Sequence, residues 1–153
     1  MEEIILNDHN KQEYPPMHSA EHILNQTMVR MFGCERSKST HIERKKSKCD
    51  YNLNEEPTAE QIKEIETRVN DVIGQNLPIT MAYVKRSEVP ESVDLSKLPE
   101  ESSETLRLVF IGDYDTCACI GQHVSNTSEI GTFRIISTDY AEGRLRIRFK
   151  LES

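Results

Sequence analysis

The stretch PTAEQIKEIETRVNDVIGQNLP, residues 57–78, constrains the fold of this chain more than any other. Thr58 and Gln61 stand three apart at its start, the spacing with which a hydroxyl and an amide cap each other's backbone N–H groups. Ile62, Ile65, Val69, Val72 and Ile73 then fall on one helical face. The spacing predicts a helix over about 58–76, apolar on one side only, and such a helix must lie against another layer. The residues C-terminal to it supply that layer. ITMAYVKR (79–86) and TLRLVFIG (105–112) alternate apolar and polar residues as half-buried strands do, across a polar loop 87–104 that holds Pro90 and Pro99. GTFRIISTDYAEGRLRIRFKLE reads as two more strands, about 132–138 and 144–151, joined by a turn through Asp139 to Gly143.

Upstream, Met17, Ala20, Leu24, Met28 and Met31 recur at helical spacing between Pro16 and Gly33, which predicts a first helix over about 16–32 with the glycine as its C-terminal stop. Residues 40–53, polar around a few β-formers, read as a basic hairpin or an irregularly started strand. Two main helices packed on an antiparallel sheet make an α+β fold. With 153 residues, one domain over 1–153 is expected, residues 1–14 forming an N-terminal extension.

No apolar run reaches the roughly 18–20 residues that cross a bilayer, and the first 14 residues lack a basic start and apolar stretch. The expectation is a cytoplasmic protein without a membrane partner. In that compartment Cys34, Cys49, Cys117 and Cys119 are core residues, reactive thiols or metal ligands rather than a disulfide framework. The formal net charge of −7 speaks against general nucleic-acid affinity. Its distribution does not: RSKSTHIERKKSK (36–48) carries Arg36, Lys38, Arg44, Lys45, Lys46 and Lys48 against Glu43 alone. A second basic row, Arg144, Arg146, Arg148 and Lys150, alternates with apolar residues near the C-terminus.

His18 and His22 are four apart on the first predicted helix, so both imidazoles project from one face, a turn apart. Cys119 and His123 form a CxxxH after a predicted strand and an acidic turn. A thiolate with imidazoles suits Zn²⁺, and the two halves together offer four ligands of the types it takes. Alternation puts Cys117 on the same side of an extended chain as Cys119, so residue chemistry alone leaves either thiol as the ligand.

Taken in order, HSAEHIL (18–24), THIERKKSKCDY (40–51), NLPITMAYVKR (76–86) and IGDYDTCACIGQHVSNTSEIG (111–131) resemble the editing domain of alanyl- and threonyl-tRNA synthetases and of freestanding alanyl-tRNA editing proteins. The resemblance spans about 15–150 and favours Cys119 over Cys117, with His18, His22, Cys119 and His123 at the zinc ligand positions, one ion per chain. It departs from the family at Ile120, where glycine is usual, and at Gln122, where threonine or proline is common, and both changes bear on amino-acid specificity.

The resemblance implies a zinc-dependent hydrolase that removes a wrong amino acid, serine or glycine on alanine tRNA for instance, from the acceptor end of mischarged tRNA. A chain of this length leaves no room for an aminoacylation domain, so the activity is expected in trans. The residues implied in catalysis are His18, His22, His41 and Gln122, with Thr40 and Arg44 in the same pocket-lining segment as His41. Asp113 and Asp115 are candidates to orient the ligand histidines. Lys38, Arg44, Lys45, Lys46 and Lys48, in the basic run that Arg36 opens, are candidates for phosphate contact with tRNA. The competing readings are a zinc-stabilised module that binds tRNA without hydrolysis, and a small zinc hydrolase of another ester.

Overall fold

A computed structural model of the chain describes residues 14–152, apart from 38, 86, 88–104 and 120. Residues 1–13 of the expected N-terminal extension, nearly all of the 87–104 loop, Lys38 and Ile120 therefore lie outside the described residues.

Helix α1 spans Pro15–Phe32. Its first two positions are Pro15 and Pro16, where a missing N–H costs nothing because those groups have no helical partner. It stops at Gly33, whose φ of 68° lets its N–H reach Val29 O at 2.8 Å. Met17, Ala20, Ile23, Leu24 and Met28 are buried along it. Helix α2, Ala59–Gly74, is held at its start by the reciprocal cap that the sequence predicts: Gln61 N–H donates to Thr58 Oγ1 at 3.1 Å, and Thr58 N–H to Gln61 Oε1 at 2.9 Å. Ile65, Val69, Val72 and Ile73 form its buried stripe.

The strands form two antiparallel sheets rather than the single one expected. One contains β1 (Ser39–His41), β2 (Ser47–Asn52), β6 (Thr132–Ala141) and β7 (Arg144–Glu152), in the order β1-β2-β7-β6; the other runs β3 (Ile79–Lys85), β4 (Thr105–Ile111), β5 (Asp115–Ala118). On β7, Leu145, Ile147 and Phe149 face the core and are at most 1% exposed. The alternate residues face outward and are ion-paired: Arg146 forks Asp50 at 2.8 and 3.0 Å, and Arg148 meets Asp139 at 2.7 Å. Helix α2 closes the free edge of β6, because Asn70 bonds both the N–H and the C=O of Phe133, at 2.8 and 3.0 Å, and Glu66 accepts from Ile135 N–H at 2.8 Å. The β6–β7 turn is tighter than expected. β6 continues to Ala141, leaving Glu142 (φ 54°) and Gly143 (φ 79°) as a two-residue hairpin turn.

The core links these layers through α1, α2, the inner face of the larger sheet, and Ile79, Val109 and Ile111 of the smaller one. Phe133 and Phe149, both fully buried with ring centroids 5.1 Å apart, stand near its middle. Phe149→Ala should therefore lower the unfolding free energy by about 3–5 kcal/mol. Thr58→Ala, which removes only a cap, should cost about 1 kcal/mol. Urea denaturation checks both values.

Candidate metal centre

Helix α1 presents His18 and His22 one turn apart, on the side where the chain leaves β5. The segment after β5 brings Cys119 and His123 to the same place, so that one ligand atom from each of the four lies within 4.8 Å of the others. Ring centroids are 5.0 Å apart for His18 and His22, 4.3 Å for His18 and His123, and 4.4 Å for His22 and His123. Cys119 Sγ is 3.5 Å from His18 Nε2.

Two of the three imidazoles are hydrogen-bonded through Nδ1, and the third faces a carboxylate there. His18 Nδ1–H donates to Gln122 O at 3.1 Å, His123 Nδ1 lies 3.0 Å from Ser19 Oγ, and His22 Nδ1 faces Asp115 Oδ2 at 3.6 Å. Ser19 Oγ already accepts from Val124 N–H at 3.3 Å, and an Nδ1–H of His123 donating to it leaves the Nε2 lone pair for another partner. His123 Nε2 and His22 Nδ1 are buried without any hydrogen bond. An orphaned buried nitrogen is costly, and a metal ion held by this group of imidazoles and the Cys119 sulfur would remove that cost for His123. Three nitrogens and one thiolate are a donor set that zinc accepts in a tetrahedron.

The surrounding charges suit this use. Burial pushes the His123 imidazole far down, followed by the neighbouring His22 and His18 and by Arg107, so that it stays in the neutral, ligating form. Burial opposes ionisation of the Cys119 thiol, but its hydrogen bond and Coulomb interaction with His22, with the Gly121 N–H adding to them, bring it below the usual thiol value. Cys117, a few residues away, is pushed up to about 12 by burial. Of the two thiols it is Cys119 that joins the imidazoles, and Cys117 lies buried on β5. Asp115 is 2% exposed. Burial alone would raise its carboxyl, yet His22 and Arg36 together hold it at about 2.

Two backbone details fix the second half of the group. A Cβ on Gly121 would overlap the His18 imidazole, so only glycine lets the loop come this close. Arg107 of β4 donates from Nε to Cys119 O at 2.8 Å and from Nη2 to Gly121 O, clamping the loop from the strand side.

The other expected residues are scattered. Asp115 faces His22, a candidate ligand, whereas Asp113 is exposed in the β4–β5 turn. Arg36 does not join a phosphate-facing run: its side chain is 13% exposed and forks Asp115 at 2.7 and 3.2 Å. Arg44, Lys45 and Lys46 are exposed in the β1–β2 connection, with Arg44 over the Tyr14 ring at 5.2 Å. Lys48 is half-buried on β2, opposite Arg148. His41 is exposed on β1 and bonded to Glu43, outside the four-residue group, and Thr40 is half-buried beside it. Gln122 is exposed next to the last ligand and enters the site through its carbonyl. Sequence reasoning missed Ser19, Glu21 and Arg107 entirely. Their only sequence signal is adjacency to a ligand for the first two, and for Arg107 there is none.

Residues 106–148 match the family described as the threonyl and alanyl tRNA synthetase second additional domain. The alanine–tRNA ligase of Petrotoga mobilis is 35% identical over 121 residues, which is 78% of this chain and 14% of that enzyme. That of Oceanobacillus iheyensis is 32% identical over 132 residues (85% and 15%), and that of Bacillus subtilis 28% over 131 residues (85% and 15%). The two helices and the antiparallel sheets make an α+β fold consistent with that of this synthetase editing domain. The chain is thus similar to the threonyl- and alanyl-tRNA synthetase second additional domain over residues 106–148, and to a segment of alanine–tRNA ligases over most of its own length. It spans about one-seventh of the length of the curated relatives it matches. Among the described residues no helix is long and apolar enough to cross a membrane.

Purified protein should carry about one zinc per chain, lost in Cys119→Ala and kept in Cys117→Ala. Elemental analysis of the two variants decides between the thiols. Gly121→Ala should bind zinc about tenfold to a hundredfold more weakly, by chelator competition, because it displaces the His18 ring.

Proposed function

We propose that this domain hydrolyses the ester joining a wrong amino acid to the 3′ end of tRNA, acting on tRNA charged elsewhere, with serine or glycine on alanine tRNA as the expected substrates. One observation supports the reading above others: besides this similarity, the chain brings three imidazoles and a thiolate to one point, with a buried ligand nitrogen that has no protein partner. Zinc bound there would supply a Lewis acid that orients the aminoacyl group or favours ionisation of water.

The chain's own residues divide the remaining work. The Gln122 carbonyl and the Ser19 hydroxyl hold the His18 and His123 rings, and the Asp115 carboxylate faces His22. Arg107 and the missing Cβ at residue 121 hold the ligand loop against α1. The Gln122 side chain, exposed beside the centre, is positioned to meet the amino-acid portion of the substrate. His41 is assigned to the pocket by the family resemblance. Arg44, Lys45 and Lys46 form an exposed basic turn against the acidic background, and with Lys38 and Lys48 they are proposed to meet the acceptor-stem phosphates. Translation places such an activity in the cytoplasm.

Incubation with serine-charged alanine tRNA should release serine while alanine-charged tRNA persists, and metal chelation or His22→Ala should abolish the release. Tight tRNA binding without release would instead identify a binding module. The joint Lys45→Ala and Lys46→Ala variant should weaken tRNA binding several-fold at low salt and reduce its salt dependence. Unchanged salt dependence would remove the basic turn from the interface.

A further inference from the structure

The chain has five tyrosines and four phenylalanines, all within the described residues, and of these Tyr83 alone stands out in solvent, 73% exposed. It lies on β3, an outer strand of the smaller sheet. Met81, two residues earlier and therefore on the same face, is 43% exposed. An exposed apolar side chain is ordinary in itself. The place of this one in the sheet is not.

Tyr83 is paired directly with Arg107 of β4. Across the sheet Arg107 is followed by Cys119, whose N–H donates to Arg107 O at 3.1 Å and so continues the register that sets Leu108 opposite Ala118. Residues opposite one another in antiparallel strands carry their side chains on one face. Tyr83, Arg107 and the candidate ligand Cys119 thus form a single row. The other face of the sheet is separate, since Val84, Leu108, Phe110 and Ala118 make their own apolar cluster there. Arg107, in the middle of the row, is committed to the carbonyls of Cys119 and Gly121, which ties the row to the ligand loop. Two strand spacings put the tyrosine roughly 10 Å from the cysteine end, a span of the size of a nucleoside from its 3′ oxygen across its base.

We propose that Tyr83 is the stacking platform for the terminal adenine of tRNA, holding the base while the ester on its ribose lies at the metal centre. The assignment rests on the proposed function, since it is the aminoacyl end of tRNA that brings the base here. In that reaction the metal centre meets the ester and the basic turn meets phosphates, and nothing else takes the base. An aromatic ring suits the task because every base has a π-face, so stacking adds affinity whatever amino acid the tRNA carries. Tyrosine also has few rotamers to freeze when a partner lands on it. A second protein chain is the poorer occupant, because Met81 and Tyr83 together offer far less surface than a stable protein interface buries.

The test compares Y83A, Y83F and Y83W with the parent, all at an exposed position where folding is not at stake. With serine-charged alanine tRNA, kcat/KM of Y83A should fall about tenfold to a hundredfold, mostly through KM, while Y83F and Y83W stay within about threefold of the parent. Zinc content should match in all four. Because the chain contains no tryptophan, Y83W also places a single emitter at the platform. Alanine tRNA should quench it, and the same tRNA without its 3′-terminal adenosine should do so about tenfold more weakly. Y83A activity within about threefold of the parent, or quenching indifferent to the terminal adenosine, overturns the proposal. So does a loss in Y83F as large as that in Y83A, which would assign the role to the hydroxyl, or zinc missing from Y83A, which would make the ring a prop of the centre. A parent dimer that Y83A dissociates, seen by analytical ultracentrifugation, would make the patch a self-interface and also overturns it. If the parent releases no serine, the proposed function fails, and adenosine-dependent quenching of Y83W then leaves the platform standing.

Discussion

Asp115 stands where three parts of the chain meet, and the site depends on that junction. It is the first residue of β5, it accepts a hydrogen bond from Gln26 and faces His22 on α1, and Arg36, beyond the end of α1, forks both its oxygens. A buried carboxylate so partnered has little freedom to shift, and removing one partner of such a pair typically costs about 3–5 kcal/mol. The smaller sheet is thereby fixed against α1 at the point from which Cys119 and His123 depart. A helix offers two imidazoles wherever it lies. Only a fixed strand end makes them half of a four-ligand group.

The helices were legible because their signals are local: a cap at Thr58 and Gln61, a stop at Gly33, and a stripe of period 3.6 in each. The division into two sheets was not. Alternation in 79–86 and 105–112 says that one face of each strand is buried and does not say which neighbour buries it. The shortened turn between β6 and β7 has a similar cause. A register shift between Ile135 and Ser137 leaves Ile136 46% exposed and re-phases the strand beyond it. Thr138 and Tyr140 then pair onward with β7 up to the two-residue turn, a continuation that one-residue counting through Ile135 and Ile136 does not reveal. In the site, the four candidate ligands were legible because histidine and cysteine at those spacings have few other uses in common. The groups that aim them were not, because a serine hydroxyl, a main-chain carbonyl and an arginine on a strand are ordinary residues until the fold brings them within 3 Å or so of a ring or loop.

Charge counting along the chain misleads for a related reason. Arg36 opens a basic run and yet points inward, to Asp115. The basic row on β7 faces outward and is largely offset, with Arg146 on Asp50, Arg148 on Asp139 and Lys150 on Glu152. In a chain of net charge −7, what matters for an anionic partner is cationic charge left exposed and close together. The β1–β2 turn, with Arg44, Lys45 and Lys46, retains that property among the described residues.

The stretch VSNTSEIG, directly after the last ligand, illustrates how a motif divides between chemistry and scaffold. Val124 N–H bonds Ser19 Oγ, the hydroxyl that also orients His123. Asn126 Oδ1 caps the short turn Thr127–Glu129 by accepting from Ser128 N–H at 2.8 Å. Thr127 is fully buried and its hydroxyl donates to Ile73 O at 3.0 Å while accepting from Leu77 N–H at 2.9 Å, which ties the segment to the end of α2 and the approach to β3. With Arg107 gripping Cys119 and Gly121 at one end and Thr127 anchored at the other, the loop is held on both sides of His123 before any metal arrives. Such preorganisation favours metal binding because little chain entropy remains to be lost on ligation. It also confines variation to the positions between the anchors that point outward, Gln122 and Ser125 among the described residues.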